Sequence, residues 1–226
     1  DTNICTVENP VEFNIEGINH VAYLEGVVNF ADALKAFLRQ DPDIILVGEI
    51  RDHETAHIAI EAALTGHLVF GTLHTNDATQ AITRLEQMQI DKFLIASSLR
   101  MVFGQRLLKR VCSACKEAYE ASDEEWQALS VVPKEFRRED ENDHRLFRGA
   151  GCNVCGGTGM KGRMAIHEVL FMNDELLQLI VAGESSVVIR QAARASGMIT
   201  LREVAAIRAL EGKTTVSEMI AEAKED

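Results

Sequence analysis

Asp41-Pro42-Asp43-Ile44-Ile45-Leu46-Val47-Gly48-Glu49-Ile50-Arg51-Asp52 is the stretch from which the fold is read. Ile44 to Val47 are consecutive apolar residues, mostly β-branched, the pattern of a strand buried on both faces of a parallel sheet. In open α/β sheets ligands collect at the carboxyl ends of the strands, and this strand delivers Gly48 and then Glu49 to that edge. A carboxylate directly after an apolar strand is one way NTP-hydrolysing proteins hold Mg²⁺ or orient the attacking water. The same pattern also fits an ordinary buried strand followed by a solvated Glu, so the flanking sequence has to decide.

Upstream, Asn3 to Val7 reads as a buried strand ending at Glu8, with Pro10 stopping it. Val11 to Ile15 alternates apolar and polar residues, the signature of a half-exposed strand, and Gly17 to Gly26 reads as irregular. Phe30, Leu34, Phe37 and Leu38 fall at helical spacing, predicting an amphipathic helix over 30–39 that Pro42 prevents from continuing. Downstream, Asp52 is placed to cap a helix carrying Ile58, Ala59, Ala62 and Ala63, closed by Gly66, and His67 to Leu73 is a third strand. Asn76 or Asp77 caps a further helix through Met88. Asp91 caps a longer one expected from about Lys92 to Arg110, apolar around much of its circumference. Strand, helix, strand with short connections means parallel neighbours and right-handed crossovers.

The twelve residues closely resemble the Walker B box of the type II secretion and type IV pilus assembly ATPases. Further boxes follow in that family's order. Thr6-Val7-Glu8-Asn9-Pro10-Val11-Glu12 resembles its aspartate box, and Gly66-His67-Leu68 with Thr72-Leu73-His74-Thr75-Asn76 its histidine box. Two cysteine pairs and Thr158-Gly159-Met160-Lys161-Gly162-Arg163 complete the set, over roughly residues 4–115 and 149–222. The resemblance implies an α/β fold: a partial RecA-like parallel sheet with flanking helices, a tetracysteine zinc-binding excursion and a small C-terminal helical subdomain. It also implies three parts: an ATPase core over 1–111, a zinc-binding subdomain over 112–165 and a helical subdomain over 166–226.

Phosphoryl transfer needs the phosphates cradled, Mg²⁺ held, a water positioned and charge neutralised. The usual cradle, Gly-x₄-Gly-Lys-Ser/Thr, does not occur. Gly212-Lys213-Thr214 comes nearest, but Ile207 stands where the first Gly belongs and the segment follows a helix, so it reads as a helix stop. The chain opens at Asp1 rather than Met and enters at once on an interior strand. We therefore expect a C-terminal fragment of a longer protein, with the Walker A loop upstream and the isolated piece inactive.

By resemblance, Glu8 is the candidate general base and Glu49 the Mg²⁺-side or water-orienting carboxylate, with the order of roles open between them. His74 resembles the family's γ-phosphate-sensing histidine. Arg51 and Arg84 fit as structural or sensing arginines and Arg39 as a charge donor to the nucleotide, though each reads equally well as a solvated charge. Asn9 stands where Asp is usual and Lys35 where Arg is common. Asn cannot accept a bidentate Arg as Asp does, and Lys is a point charge rather than a fork.

Cys112-x₂-Cys115 and Cys152-x₂-Cys155 each put two thiolates on one knuckle, and together they offer the tetrahedral sulfur set that Zn²⁺ prefers. The 36 residues between the pairs are expected to form a surface excursion, with a Ser122/Glu125 capping box, Trp126, and a charged, aperiodic run over Pro133 to Arg148. A closed four-cysteine site has no open position, so its role is structural. Cys5 should be an inert core thiol. After Asn173 short helices follow, capped by Asn173, Ser185 or Ser186, Thr200 with Glu203, and Thr215 with Glu218.

A hydrophobic content of 46 % fits a globular fold, and a net charge of −12 argues against a nucleic-acid or anionic-lipid surface. With no apolar run near 18 residues and no signal pattern, a cytoplasmic protein is expected, peripheral to the inner membrane through its partners. The resemblance implies a homohexamer using ATP, Mg²⁺ and Zn²⁺ to power pilus assembly or type II secretion against an inner-membrane platform protein. The four cysteines favour assembly or secretion motors over retraction motors. The alternative is a non-catalytic, zinc-stabilised interaction module.

Overall fold

The computed structural model describes residues 2–137 and 145–223. In chain order the strands are β1 (Ile4–Glu8), β2 (Ile18–Ala22), β3 (Ile44–Val47), β4 (Leu68–Gly71), β5 (Met101–Val111), β6 (Lys116–Glu120), β7 (Arg145–Gly149) and β8 (Met160–Phe171). The helices are α1 (Phe30–Phe37), α2 (His53–Leu64), α3 (Gln80–Gln87), α4 (Lys92–Ser98), α5 (Asp123–Ala128), α6 (Asp174–Ala182), α7 (Ser186–Ala195), α8 (Leu201–Leu210) and α9 (Val216–Glu222). Two compact units alternate along the sequence: residues 1–102 with 171–193, and residues 103–170 with 194–226.

The first unit is built on a sheet of order β2-β1-β3-β4, parallel throughout. Its core joins Cys5, Val7, Ile45 and Val47 to Phe30, Leu34 and Phe37 of α1 and Ile58, Ala59 and Ala62 of α2. Asn29 caps α1, Asp52 caps α2 through the Thr55 N–H, and Asp91 caps α4 through the Phe93 N–H. The expectation that Ile44–Val47 is covered on both faces is corrected: Ile45 and Val47 are fully buried, whereas Ile44 and Leu46 are half-buried. Both helices pack on one face, and strand side chains alternate between faces.

Three other expectations fail. Residues 11–15 form no strand, and the segment expected to be irregular contains β2 instead, because pairing with β1 recruits it (Thr6 opposite His20, Val7 opposite Val21). The long helix over 92–110 ends at Ser98. Leu99 is already extended (φ −71°, ψ 128°) and Met101 begins β5.

In the second unit β5 pairs with β8 and β6 pairs antiparallel with β7. β7 lies in the run read as aperiodic; residues 138–144 of that run lie outside the described residues. The core gathers Leu108, Leu129, Leu146, Ile166, Leu201, Ala205, Ala209, Val216 and Met219. The Ser122/Glu125 and Thr200/Glu203 capping boxes form as expected. Thr215 caps α9, but its expected box partner Glu218 turns to β5, accepting the Lys109 N–H at 2.9 Å. Gly212 ends α8 with φ +66°, and Thr214 Oγ1 donates to the Lys109 carbonyl at 2.8 Å, so this segment is a helix stop stitched to β5. Among the described residues no helix is long and apolar enough to cross a membrane.

Candidate functional site

The parallel register of β1 and β3 brings Glu8 and Glu49 to adjacent strand ends. The Gly48 N–H donates to the Val7 carbonyl at 2.7 Å. The approach is close enough to require glycine: a Cβ on Gly48 would stand 2.9 Å from the Val7 oxygen and 3.0 Å from the Glu8 Cα. On the other side Ile50 donates its N–H to the Thr72 carbonyl at 2.9 Å, and Thr72 Oγ1 donates to the Gly48 carbonyl at 2.5 Å. The segments after β3 and β4 are thus locked together, and His74 Nε2 reaches Glu49 Oε1 at 2.9 Å.

Glu49 is mostly buried and carries Arg51 on Oε2 and His74 on Oε1. The Arg51 hydrogen bond holds its carboxyl below the usual range, against the opposing effect of burial and with help from the His74 charge. Burial pushes Glu8 up, but hydrogen bonds from Thr6 and His20 outweigh it, so Glu8 also lies below its usual range. Thr6 Oγ1 donates to Glu8 Oε1 at 2.7 Å, and His20 Nδ1 lies 2.9 Å from the same oxygen.

Sequence reasoning missed His20. The available signal was its place opposite Thr6, and it appears only once the β1–β2 pairing is known. Arg190 was missed too. It pairs with Asp77, which also accepts the Gln80 N–H at 2.9 Å and the Thr79 hydroxyl at 2.7 Å, organising the turn after His74. Arg39 and Arg84 are exposed, and among the described residues neither side chain contacts Glu8 or Glu49. Lys35 pairs with Glu54 of α2 at 2.5 Å, and Asn9 is exposed.

Cys112, Cys115, Cys152 and Cys155 converge, with all four Sγ atoms within 4.8 Å of one another. Separations of 3.9 Å (Cys112–Cys152), 3.9 Å (Cys115–Cys155) and 3.8 Å (Cys152–Cys155) match the edge of about 3.8 Å of a tetrahedron with 2.3 Å zinc–sulfur bonds. The donor set therefore fits zinc. The Cys152 N–H donates to Cys155 Sγ at 3.2 Å, holding that thiol down at about 6, and the Gly159 N–H adds a second bond at 3.2 Å. Burial and the neighbouring thiols push Cys115 up to about 12, so the last thiolates need a cation. Gly149 and Gly159 cross so closely that a Cβ on Gly149 would lie 2.0 Å from the Gly159 carbonyl oxygen.

Comparison with known proteins places this geometry. The family described as "Type II/IV secretion system protein" matches residues 1–221. The type IV pilus assembly ATPase PilB of Thermus thermophilus is 52 % identical over 222 residues, covering 98 % of this chain and 24 % of that protein. PilB of Myxococcus xanthus is 45 % identical, covering 97 % and 38 %. The type II secretion system protein E of Pseudomonas aeruginosa is 44 % identical, covering 99 % and 43 %. The chain thus spans from 24 % to 43 % of the length of these relatives. Among solved structures, the pilus retraction motor PilT with bound ADP superposes with a TM-score of 0.67 at 27 % identity, covering 99 % of this chain and 53 % of that one. On this sequence and structural evidence the chain belongs to the type II/IV secretion system protein family.

Proposed function

We propose that this chain is the C-terminal part of a hexameric motor ATPase that hydrolyses ATP to power type IV pilus assembly or type II protein secretion. The observation that carries the proposal is the pair of carboxylates, Glu8 and Glu49, on adjacent parallel strand ends, with Gly48 packed against Glu8. The relatives named as pilus assembly and secretion ATPases support it.

When bound, Mg²⁺ would neutralise phosphate charge beside Glu49. In this reading Glu8, steadied on Oε1 by Thr6 and His20, accepts the proton of the attacking water. Glu49 orients water or metal once His74 leaves Oε1, and His74 then faces the terminal phosphate. Arg51 keeps Glu49 ionised throughout. Arg39 and Arg84 would serve nucleotide charge only from a neighbouring subunit or after rearrangement. In this reading residues 1–111 carry the catalytic half-site, 112–165 the structural zinc, and 166–226 short helices divided between the two compact units. The protein works in the cytoplasm against an inner-membrane platform protein.

The sequence carries no phosphate loop, so the chain alone should bind Mg·ATP weakly and turn it over negligibly. Joined behind a phosphate loop, it should assemble as a hexamer and hydrolyse ATP. Micromolar Mg·ATP binding by the chain alone, or no ATPase activity in the joined protein, would overturn the proposal. The tetracysteine favours a second reading, a zinc-stabilised interaction module without catalysis. That reading predicts partner binding unaffected by Glu49→Gln.

A further inference from the structure

The nucleotide reading leaves one histidine arrangement on α2 unused. His53-Glu54-Thr55-Ala56-His57 puts two imidazoles four residues apart, on one face of the helix. Their ring centroids are 5.7 Å apart with planes tilted by 46°. Each Nδ1 faces an acceptor, hydrogen-bonded to it in His53 and only in electrostatic contact with it in His57. His53 Nδ1 lies 2.8 Å from the Met88 carbonyl oxygen, and His57 Nδ1 lies 3.4 Å from Glu61 Oε2. With its proton on Nδ1 the His53 ring keeps its lone pair on Nε2, and His57, whose Nδ1 makes no hydrogen bond, is able to offer its own Nε2 to the same cation.

A carbonyl behind one ring and a carboxylate behind the other are also the supports that fix tautomer and orientation in metal-bound histidines. Both rings are open to solvent, with 40 % of the His57 side chain exposed.

We propose that His53 and His57 form a second metal site, taking a borderline divalent cation of the zinc, nickel or copper class through their Nε2 atoms. Imidazole pairs suit these ions, and a bridge between residues one turn apart clamps the first two turns of α2. Water completes the coordination, because among the described residues the cysteines are the one group of three or more ligating atoms. The His-Glu-x-x-His pattern also occurs in zinc peptidases, where the Glu serves as general base. Here Glu54 Oε1 pairs with Lys35 Nζ of α1 at 2.5 Å, and only cation binding is proposed.

The test is a calorimetric titration of Ni²⁺ into tag-free chain whose cysteines already hold zinc. We expect one nickel equivalent per chain. It should disappear in the His53→Asn/His57→Gln double variant, weaken about tenfold in Glu61→Gln, and persist in His167→Gln. Failure of the parent chain to bind nickel, or binding that survives in the double variant, overturns the proposal.

Discussion

His20 Nδ1 lies 2.9 Å from Glu8 Oε1, and the other nitrogen of the same ring accepts the Ile15 N–H at 3.2 Å. That second bond fixes the tautomer: Nε2 is the acceptor, so Nδ1 carries the hydrogen and donates it to Glu8. His20 is thus a positioning residue for the carboxylate, held by strand pairing on one side and by the loop before β2 on the other.

Replacing His20 with Phe in a protein that joins this chain to a phosphate loop should raise the Glu8 pKa. The acid limb of the pH–rate profile should move to higher pH, with kcat falling by up to about 10²-fold while nucleotide affinity holds. The sign follows from the shift. A carboxyl held below its unfolded value of about 4.3 contributes stability that is present above that pH and lost as pH falls through the folded value. Removing His20 narrows that window. An unmoved acid limb would limit His20 to packing.

Glu49→Gln keeps the shape while removing the charge that Arg51 and His74 face. ATP binding should persist and the rate should drop by about 10²–10³-fold, by analogy with the loss of a single oxyanion-hole donor. Glu8→Gln should behave alike, whereas substituting the surface residue Glu124 should be silent. Steady-state turnover measured beside nucleotide affinity decides the matter, and a wild-type rate in Glu49→Gln would remove this residue from the chemistry.

One zinc per chain is expected at Cys112, Cys115, Cys152 and Cys155. Structural zinc contributes on the order of 10 kcal/mol in small domains, so chelation should unfold the segment around the knuckles. Elemental analysis of protein purified without chelator should give a ratio near unity, and no zinc would refute the site.

Gly48→Ala places a Cβ against backbone atoms of Val7 and Glu8, which cannot rotate away. We expect a loss of about 1–3 kcal/mol in denaturant unfolding and a displaced Glu8. Wild-type stability would mean that β1 and β3 separate more easily than their register suggests.

Glu218 accepts the Lys109 N–H at 2.9 Å and lies 3.4 Å from Lys109 Nζ, with its side chain 10 % exposed. Glu218→Ala should cost about 1–2 kcal/mol by stranding that N–H, lowering Tm by about 2–8 °C. The rest of α9 would stay capped by Thr215.

The first unit was legible because its signals are local: the β-branched stretch at 4–7, the apolar run at 44–47, caps at Asp52, Asp91 and Asn173, and the glycine at 66. What failed was decided by distant pairing. β5 carries apolar residues on both sides, Phe103 and Leu107 outward and Leu108 inward, which erases the period-2 pattern, and Gly104 was the one hint against a helix. β2 and β7 lack a clean alternation of apolar and polar residues and exist because β1 and β6 supply their hydrogen bonds. In the site, the motif residues Glu8, Glu49 and His74 could be named from sequence. His20 and Arg190 could not, since each reaches its carboxylate through tertiary placement alone.

The excursion between the cysteine pairs is closed twice at its base, by the converging sulfurs and by the ladder from Lys116 opposite Gly149 to Glu120 opposite Arg145. Ladder and cluster are thus two closures of the same loop, and whichever forms first shortens the loop that the other has to close. Assembly here is a clasp in two stages, in which strand pairing delivers the sulfurs to one another rather than a metal having to gather them across 36 intervening residues.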